Sequence, residues 1–555
     1  MRYQNPILRG FNPDPSICRV GKDYYLVTST FEYFPGIPVY HSRDLINWKQ
    51  IGNCIERPEQ LDFTGVRSSE GIWAPTIRYE QGVFYVTATF SGRGNFYVTS
   101  TNPATGWSDP VWVDFTGIDP SIFFEDDEMY YCANDIGDRQ KKHGSEGFSL
   151  AKMDKVTGKV LGEIRRIWTG NGGGWVESPH IYHVGEYYYL FASEGGTNQG
   201  HMVTVARSRN IWGPYEGCPE NPILTNRDDT SKQISCSGHC DLVEDTYGNW
   251  WIVHLGTRSD RGLTNLGRET FLMPVTWVDG WPVIGWDKKS HLVVDLPDRC
   301  LLRKESFGVS SHIPVTEQEL TQQALSRMWN CNFESETWEP QWLFRRIPDM
   351  QKIQRGNGKL ILDAADGKLE DAFGTVSGVF LRPLDKKCSV ETVLDFEPTL
   401  DGACAGLTAY LTEDYFYRIM KIREAGKNYL VVERRMEDVV VEAFRQEVPT
   451  GKLMLKIAND GEKYHFSYGL QKEDLLTSQQ DAKEADTLQE VATAATKFLS
   501  TEIVGKSFTG TLFGVFAEAD ACRSEGEKGQ VSNGGEKTIQ RAVFSQFRMK
   551  TLRIL

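Results

Sequence analysis

Short runs of alternating apolar and polar residues fill the first 300 positions of the chain, and they recur in pairs. Each pair opens on a small element containing Pro or His, continues into an apolar strand, turns at Gly or acidic residues, and ends in an aromatic-rich strand. The pairs open at Asp14, Ala74, Asp119, Ser178 and His239, and these starts are separated by 60, 45, 59 and 61 residues. Five repeats at this spacing predict a β-propeller with five four-stranded blades.

The pattern changes after residue 303. Residues 304–328 are polar and partly helical in pattern, which predicts a linker. From 329 to 555, period-two runs broken by Gly and Asp predict a jelly-roll-like β-sandwich. Residues 471–500 are acidic and rich in Gln and Ala, and they predict a helical or mobile insertion. We therefore expect an all-β protein in which a propeller at 1–303 precedes the sandwich.

Composition and charge argue against several classes of function. The net charge of −14 argues against a nucleic-acid partner, which requires a basic surface. No run of 18 apolar residues is present, so no membrane-spanning helix is expected. The first residues lack the apolar segment of a signal peptide, which predicts a cytoplasmic protein. Aromatic residues are numerous, with 15 Trp, 22 Tyr and 28 Phe, and composition alone favours strand packing over sugar stacking as their role.

Acidic residues lie at or beside three of the five repeat starts. Equivalent positions of propeller blades face one another across the axis, so Asp14, Asp119 and Glu177 are expected to meet there, together with His239. A single Asp-Pro is more often a turn or cap. Clustered carboxylates, however, repel one another and are costly to desolvate, which favours a catalytic role. A metal site would more often gather its acids on one loop.

Three carboxylates suit the hydrolysis of glycosidic bonds. One carboxyl group must protonate the leaving oxygen, a second must activate water or attack directly, and a third can raise the pKa of the acid by repulsion. The motifs around these residues, with three others, then suggest a family. They are Asn12-Pro-Asp-Pro-Ser, Trp73-Ala-Pro, Gly117-Ile-Asp-Pro-Ser, Glu177-Ser-Pro-His, Gly238-His-Cys-Asp and Leu266-Gly-Arg-Glu-Thr.

In order and spacing these motifs resemble glycoside hydrolase family 43, and within it the two-domain β-xylosidases and α-L-arabinofuranosidases. The resemblance is strong from residue 5 to about 300 and looser beyond. It implies a five-bladed propeller and inversion at the anomeric carbon. It also implies that Asp14 is the general base, that Glu177 is the general acid, and that Asp119 orients this acid and modulates its pKa.

Further residues of the sugar pocket are implied by the same resemblance. Phe31 and Trp73 correspond to its aromatic walls, and Arg268 corresponds to an arginine that approaches the sugar hydroxyls and the carboxylates. Phe508 corresponds to a residue on a sandwich loop that closes the pocket, which would make the enzyme exo-acting. Ser178 departs from the small residue usual after the acid, so the leaving-group side is expected to differ.

His239 corresponds to a histidine near the propeller axis, with hydrogen bonding as the favoured role. In some relatives this residue touches a water-bound calcium ion. We therefore expect no required cofactor, with a structural Ca²⁺ near the axis as the open alternative.

The sequence thus predicts an exo-acting, inverting enzyme that releases xylose from the non-reducing ends of β-1,4-xylooligosaccharides, with α-L-arabinofuranose as a second product. The expected partner is a xylooligosaccharide or an arabinoxylan-derived oligosaccharide, and a homo-oligomer remains open. A dedicated α-L-arabinofuranosidase is the nearest alternative. A sucrose- or fructan-cleaving enzyme is disfavoured, because its Asn-Asp-Pro-Asn and Arg-Asp-Pro signatures are missing. A sugar-binding propeller is the non-enzymatic alternative, although it would not need three acids.

Overall fold

The computed structural model describes residues 2–135, 146–295, 328–471, 488–505, 507–519 and 539–552. The chain divides into two compact units. The first comprises Met1–Phe63 and Ser69–Leu320, and the second comprises Thr64–Ser68 and Thr321–Leu555.

The first unit contains five four-stranded antiparallel sheets, each built from strands that follow one another in the chain, except that β4 interrupts the first sheet. Sheet one is β2 (Ser16–Val20), β3 (Asp23–Val27), β5 (Gly36–Ser42) and β6 (Lys49–Ile55); sheet two is β7 (Thr76–Glu80), β8 (Val83–Phe90), β9 (Gly94–Ser100) and β10 (Val111–Val113); sheet three is β11 (Ile118–Glu125), β12 (Glu128–Asp135), β13 (Gly147–Met153) and β14 (Val160–Trp168). Sheet four is β15 (Glu177–Val184), β16 (Tyr187–Glu194), β17 (Met202–Ser208) and β18 (Glu216–Gly217); sheet five is β19 (Ile234–Glu244), β20 (Trp250–Arg258), β21 (Glu269–Val278) and β22 (Trp281–Ile284). The short strands outside these sheets are β1 (Arg2–Gln4), β4 (Tyr33–Phe34) and β23 (Val293–Asp295).

The first strands of the five sheets form a ring. Each of β2, β7, β11, β15 and β19 contacts the next, and β19 contacts β2 again. This arrangement confirms the predicted five-bladed propeller. The start of the chain is bound to the fifth blade, because the Asn5 side-chain amide donates to the Leu272 carbonyl at 2.9 Å. In addition, β1 pairs with β23.

Aromatic side chains fill the spaces between successive blades. Tyr25 meets Phe84 at a ring-centroid distance of 4.9 Å between blades one and two. Tyr189 meets Trp277 at 4.8 Å between blades four and five. Edge-to-face and tilted aromatic pairs of this kind add to the free energy of burial. Packing between blades therefore accounts for part of the aromatic content of the chain.

The second unit is a sandwich of two antiparallel sheets, as predicted. The larger sheet has the order β26 (Ile353–Gly356), β27 (Lys359–Asp363), β38 (Arg541–Thr551), β29 (Cys388–Asp395), β34 (Leu453–Asn459), β35 (Lys463–Leu470) and β36 (Gln489–Ala495), and β24 (Met328–Cys331) also pairs with β38. The smaller sheet has the order β28 (Ser377–Leu381), β37 (Leu512–Glu518), β30 (Cys404–Thr412), β31 (Tyr415–Glu424), β32 (Lys427–Met436) and β33 (Val439–Glu447). A two-residue strand, β25 (Phe344–Arg345), and a one-turn helix, α1 (Thr501–Val504), complete the unit.

Burial along β34 shows how the sandwich core is made. Leu453, Leu455 and Ile457 are fully buried, whereas the residues between them are partly exposed. Because side chains alternate across a strand, one face of this sheet is turned into the core. The period-two patterning read from the sequence therefore has its expected structural meaning here.

The predicted helical or mobile insertion at 471–500 is wrong for its described part. Residues 472–487 lie outside the described residues. Gln489–Ala495 form an antiparallel edge strand on β35, and Thr496–Leu499 form a 3-10 turn. The helix propensity of this Ala-rich segment is a weak preference, which backbone pairing with the β35 edge overrides.

The predicted linker at 304–328 also lies outside the described residues, apart from Met328, the first residue of β24. Among the described residues, no helix has the length and apolar character needed to cross a membrane.

Candidate active site

Four of the five repeat starts have left-handed backbone. Asp14, Asp119, Ser178 and His239 have φ angles of 54°, 52°, 54° and 46°. Such angles are uncommon for residues other than Gly and often occur at functional sites. The pairing registers of β11, β15 and β19 shift beside these residues, and such bulges redirect side chains. Equivalent repeat positions thus share one backbone geometry.

Asp14 is buried and held at both carboxylate oxygens. Arg268 Nη1 donates to Oδ1 at 2.5 Å, and Ser29 Oγ donates to Oδ2 at 2.5 Å. Charge-assisted hydrogen bonds of this length are strong and directional. The Asp14 carboxylate is therefore fixed in one orientation.

His239 lies between two of the acids. Its Nδ1 is 3.9 Å from Asp14 Oδ1 and 3.9 Å from Asp119 Oδ2. Its backbone N–H donates to Ser193 Oγ at 2.5 Å. Burial lowers the pKa of His239, although the charges of Asp14 and Glu177 act in the opposite direction. A neutral imidazole therefore separates Asp14 from Asp119.

Asp119 is buried close to the other two acids, and the Ser178 backbone N–H donates to its Oδ2 at 3.2 Å. Burial raises the pKa of Asp119 well above its usual range, and the charges of Glu177 and then Asp14 raise it further. Like charges in a poorly solvated site favour the protonated form.

Glu177 has a partner that the sequence did not indicate. His201 Nε2 lies 2.9 Å from Glu177 Oε1. Burial alone would raise the pKa of Glu177, but the contact with His201 outweighs it, so the pKa of Glu177 is lowered. In the free site, the proton is therefore expected on Asp119. The role of Glu177 as general acid stays a prediction.

Phe31 and Arg268 lie together beside Asp14. Arg268 Cζ is 5.5 Å from the centre of the Phe31 ring, within the range of a cation–π contact. Trp73 follows Ile72, whose backbone exchanges hydrogen bonds of 2.9 and 3.0 Å with that of Phe31. The structure therefore brings the two predicted pocket aromatics onto neighbouring chain segments, and their contact with the sugar stays a prediction.

Phe508 belongs to the second unit, and 41% of its surface is exposed. Its predicted contact with the sugar stays a prediction.

Comparisons with known proteins agree with this geometry. The family model described as "Glycosyl hydrolases family 43" matches residues 3–282, and the one described as "Beta xylosidase C-terminal Concanavalin A-like domain" matches residues 330–527. A non-reducing end alpha-L-arabinofuranosidase from Bacteroides ovatus is 37% identical over 533 residues, covering 93% of this chain and 92% of that protein. The chain belongs to glycosyl hydrolase family 43. It is a glycosidase.

Other family 43 proteins match over similar lengths. A xylosidase/arabinosidase from Butyrivibrio fibrisolvens is 35% identical over 468 residues, covering 82% of this chain and 87% of that protein. The crystal structure of a xylan beta-1,4-xylosidase from Bacillus halodurans C-125 matches with a TM-score of 0.82 and 29% identity, covering 99% of this chain and 100% of that one.

A structural Ca²⁺ near the axis stays the open alternative. Asp119, Glu177 and His239 offer one ligand atom each within 4.8 Å of one another. Calcium takes six to eight ligands, mostly oxygen, so water molecules would have to supply the others.

Two residues that the sequence analysis missed hold the predicted acids of this family 43 site. Ser29 follows β3, and His201 precedes the third strand of blade four. Neither occupies a repeat start, so the internal repeat contains no signal for them. Each contact is made within a single blade, from a position outside the repeated motif.

Proposed function

We propose that the protein is an exo-acting, inverting β-xylosidase that releases xylose from the non-reducing ends of β-1,4-xylooligosaccharides or arabinoxylan-derived oligosaccharides. The observation that carries this proposal is the convergence of Asp14, Asp119 and Glu177 around one buried histidine and one arginine. Inverting glycosidases need one carboxylate to activate water and one carboxylic acid to protonate the leaving oxygen.

Asp14 has the environment of the general base. Its two oxygens accept from Arg268 and Ser29, which stabilise the ionised form and hold it in place. Asp14 takes a proton from water as the water oxygen attacks the anomeric carbon. Arg268 also lies beside Phe31, and the family resemblance assigns its guanidinium to the sugar hydroxyls.

Glu177 is the general acid in this scheme, and its proton is shared with Asp119. Two interacting carboxyl groups titrate as a pair, so one bound proton serves both. A sugar in the pocket excludes water, and this desolvation favours the protonated form of Glu177. Asp119, oriented by the Ser178 N–H, passes the shared proton to Glu177 and becomes a carboxylate. Glu177 then protonates the leaving oxygen and is itself left as a carboxylate, while Asp14 holds the proton taken from water.

A dedicated α-L-arabinofuranosidase is the second candidate. The Bacteroides ovatus protein, at 37% identity, is named a non-reducing end alpha-L-arabinofuranosidase. The Butyrivibrio fibrisolvens protein is named for both activities. D-xylopyranose and L-arabinofuranose present similar hydroxyl arrangements, so one pocket can accept either sugar.

Rates on para-nitrophenyl β-D-xylopyranoside and α-L-arabinofuranoside separate the two candidates. A higher kcat/KM on the xyloside is expected, whereas turnover of the arabinofuranoside alone would favour the second candidate. Glu177→Ala should lower kcat on the preferred substrate by about 10²–10⁴-fold, the range of general acid–base catalysis.

Glu186→Ala is the matched control, because this glutamate lies in the same blade with 73% of its side chain exposed. Its activity should equal that of the wild type. Unchanged turnover by Glu177→Ala would contradict the proposal.

A further inference from the structure

His201 is a completely buried histidine, with 0% of its surface exposed, directly behind Glu177. Its Nε2 lies 2.9 Å from Glu177 Oε1, but the ring N–H direction is not aligned with that oxygen. Catalytic hydrogen bonds are often poorly aligned in free enzymes and tighten when substrate binds. The two atoms are therefore at hydrogen-bonding distance, although the angle between them is not that of a hydrogen bond.

The rest of His201 is anchored. Nδ1 lies 3.1 Å from the Cys236 carbonyl oxygen, which can only accept, so Nδ1 carries a hydrogen. The backbone N–H of His201 donates to the Asn198 carbonyl at 3.0 Å, and Thr225 Oγ1 donates to the His201 carbonyl at 2.9 Å. These bonds leave Nε2 as the ring atom that faces Glu177. Because Nδ1 already carries a hydrogen, Nε2 can donate to Oε1 only when the ring carries a second hydrogen.

Gly238 provides the space for the imidazole ring. A Cβ atom at this position would overlap three atoms of the His201 ring. Gly238 directly precedes His239, so the chain segment that brings one histidine to the acids also makes room for the other. Any side chain at position 238 would have to displace His201.

We propose that His201 is a positioning residue that holds Oε1 of Glu177, so that Oε2 faces the leaving-group oxygen. This inference rests on the proposed function, since His201 acts only through the general acid. A carboxyl group released from this contact could rotate, and misplacement of a catalytic group by about 1 Å can cost about 10²-fold in rate. Loss of His201 is thus expected to lower kcat most on substrates whose leaving group needs protonation.

Leaving-group dependence tests the proposal. The variants are His201→Ala and His201→Gln, assayed on two aryl glycosides of the pentose that the wild type prefers. A dinitrophenyl glycoside leaves without help from an acid, whereas a methoxyphenyl glycoside needs protonation. His201→Ala should lower kcat by about 10²-fold on the methoxyphenyl substrate and by less than about fivefold on the dinitrophenyl one. His201→Gln, whose side-chain amide can bind Oε1, should recover part of the loss.

His254→Ala is the matched control, because His254 is also fully buried in the propeller and bonds a carbonyl, that of Leu255, through Nδ1 at 2.7 Å. It should affect both substrates equally. Should His201→Ala fail to fold, Gly238→Ala carries the test, since it displaces the ring and should give the same selective loss. An equal loss on both substrates for either variant would overturn the proposal.

Glu177→Ala in the same assay separates this proposal from the proposed function. A selective loss in Glu177→Ala but not in the His201 variants overturns only the role of His201. An absence of selectivity in Glu177→Ala overturns the role of Glu177 as general acid.

Discussion

Two groups of buried charged residues surround the propeller axis, and they differ in how completely their acids are paired. The Asp241 cluster comprises Asp241, Arg78, Ser16, Tyr182 and His180. The catalytic cluster comprises Asp14, Asp119, Glu177, His239 and Arg268.

In the Asp241 cluster, one acid of blade five receives donors from three other blades. Arg78 donates to both oxygens of Asp241, at 2.8 and 3.1 Å, and Ser16 Oγ donates at 2.5 Å. Tyr182 donates as well. Although burial acts against it, the charge of Arg78 lowers the pKa of Asp241 far below its usual range. Burial lowers the pKa of His180 to about 3, so this ring is neutral at ordinary pH.

The catalytic cluster has three acids and one arginine. Arg268 pairs with Asp14, while Asp119 stays next to Glu177 with its pKa raised. A charge that is fully paired is a structural feature, whereas buried carboxylates in excess of their cations are poised for proton transfer. The innermost strands therefore carry two clusters: the Asp241 cluster links the blades, and the catalytic cluster is reactive. The two clusters differ in whether every buried acid is paired with a cation.

Removing the acid of the Asp241 cluster should give the largest effect on folding. Asp241→Asn leaves the buried Arg78 without its counter-ion, which should lower the free energy of unfolding by about 3–5 kcal/mol. Urea denaturation followed by tryptophan fluorescence measures this change. Asp109→Asn is the control, since Asp109 pairs with Arg57 while 83% of its side chain is exposed, and it should cost less than about 1 kcal/mol. Equal effects of the two substitutions would remove the distinction between the clusters.

Removing an acid from the catalytic cluster should instead raise the free energy of unfolding. The folded-state pKa of Asp119 is raised above the unfolded value, so its contribution to stability falls as pH rises between the two values. Asp119→Asn removes this penalty. The variant should gain stability relative to the wild type between pH 4 and pH 8, by about 1.4 kcal/mol for each unit separating the two pKa values.

Asp154→Asn is the control for the direction in which stability changes with pH. Hydrogen bonds from Thr157 and Val156 lower the pKa of this exposed carboxyl, so the variant should lose stability relative to the wild type as pH rises. Denaturation curves at several pH values measure both trends. A loss of stability in Asp119→Asn on going to pH 8 would show that the catalytic cluster is paired like the other.

Ser29→Ala should give the smallest effect. It removes one hydrogen bond to the buried Asp14 carboxylate, which should lower the free energy of unfolding by at most about 1.5 kcal/mol and kcat by at most about tenfold. Ser42→Ala, which removes a comparable bond to Asp44 at 3.0 Å in the same blade, is the control for steady-state kinetics. A kcat equal to that of the control would mean that Arg268 alone fixes Asp14.

The sequence predicted those features that follow from the repeat. Asp14, Asp119 and His239 occupy equivalent blade positions with the same left-handed backbone, so their meeting at the axis could be inferred without coordinates. The distribution of protons could not, because it depends on His201, which reaches Glu177 from another strand. Likewise, the strand at Gln489–Ala495 depends on pairing with β35, which local composition does not reveal.

The most direct test of the central claim is proton NMR of the xylose released from para-nitrophenyl β-D-xylopyranoside, recorded before the anomers equilibrate. Direct attack of a water activated by Asp14 on a β-linked substrate inverts the anomeric carbon, so α-xylose should appear first. Initial release of β-xylose would contradict the account, since it would require a covalent intermediate and a carboxylate acting as nucleophile.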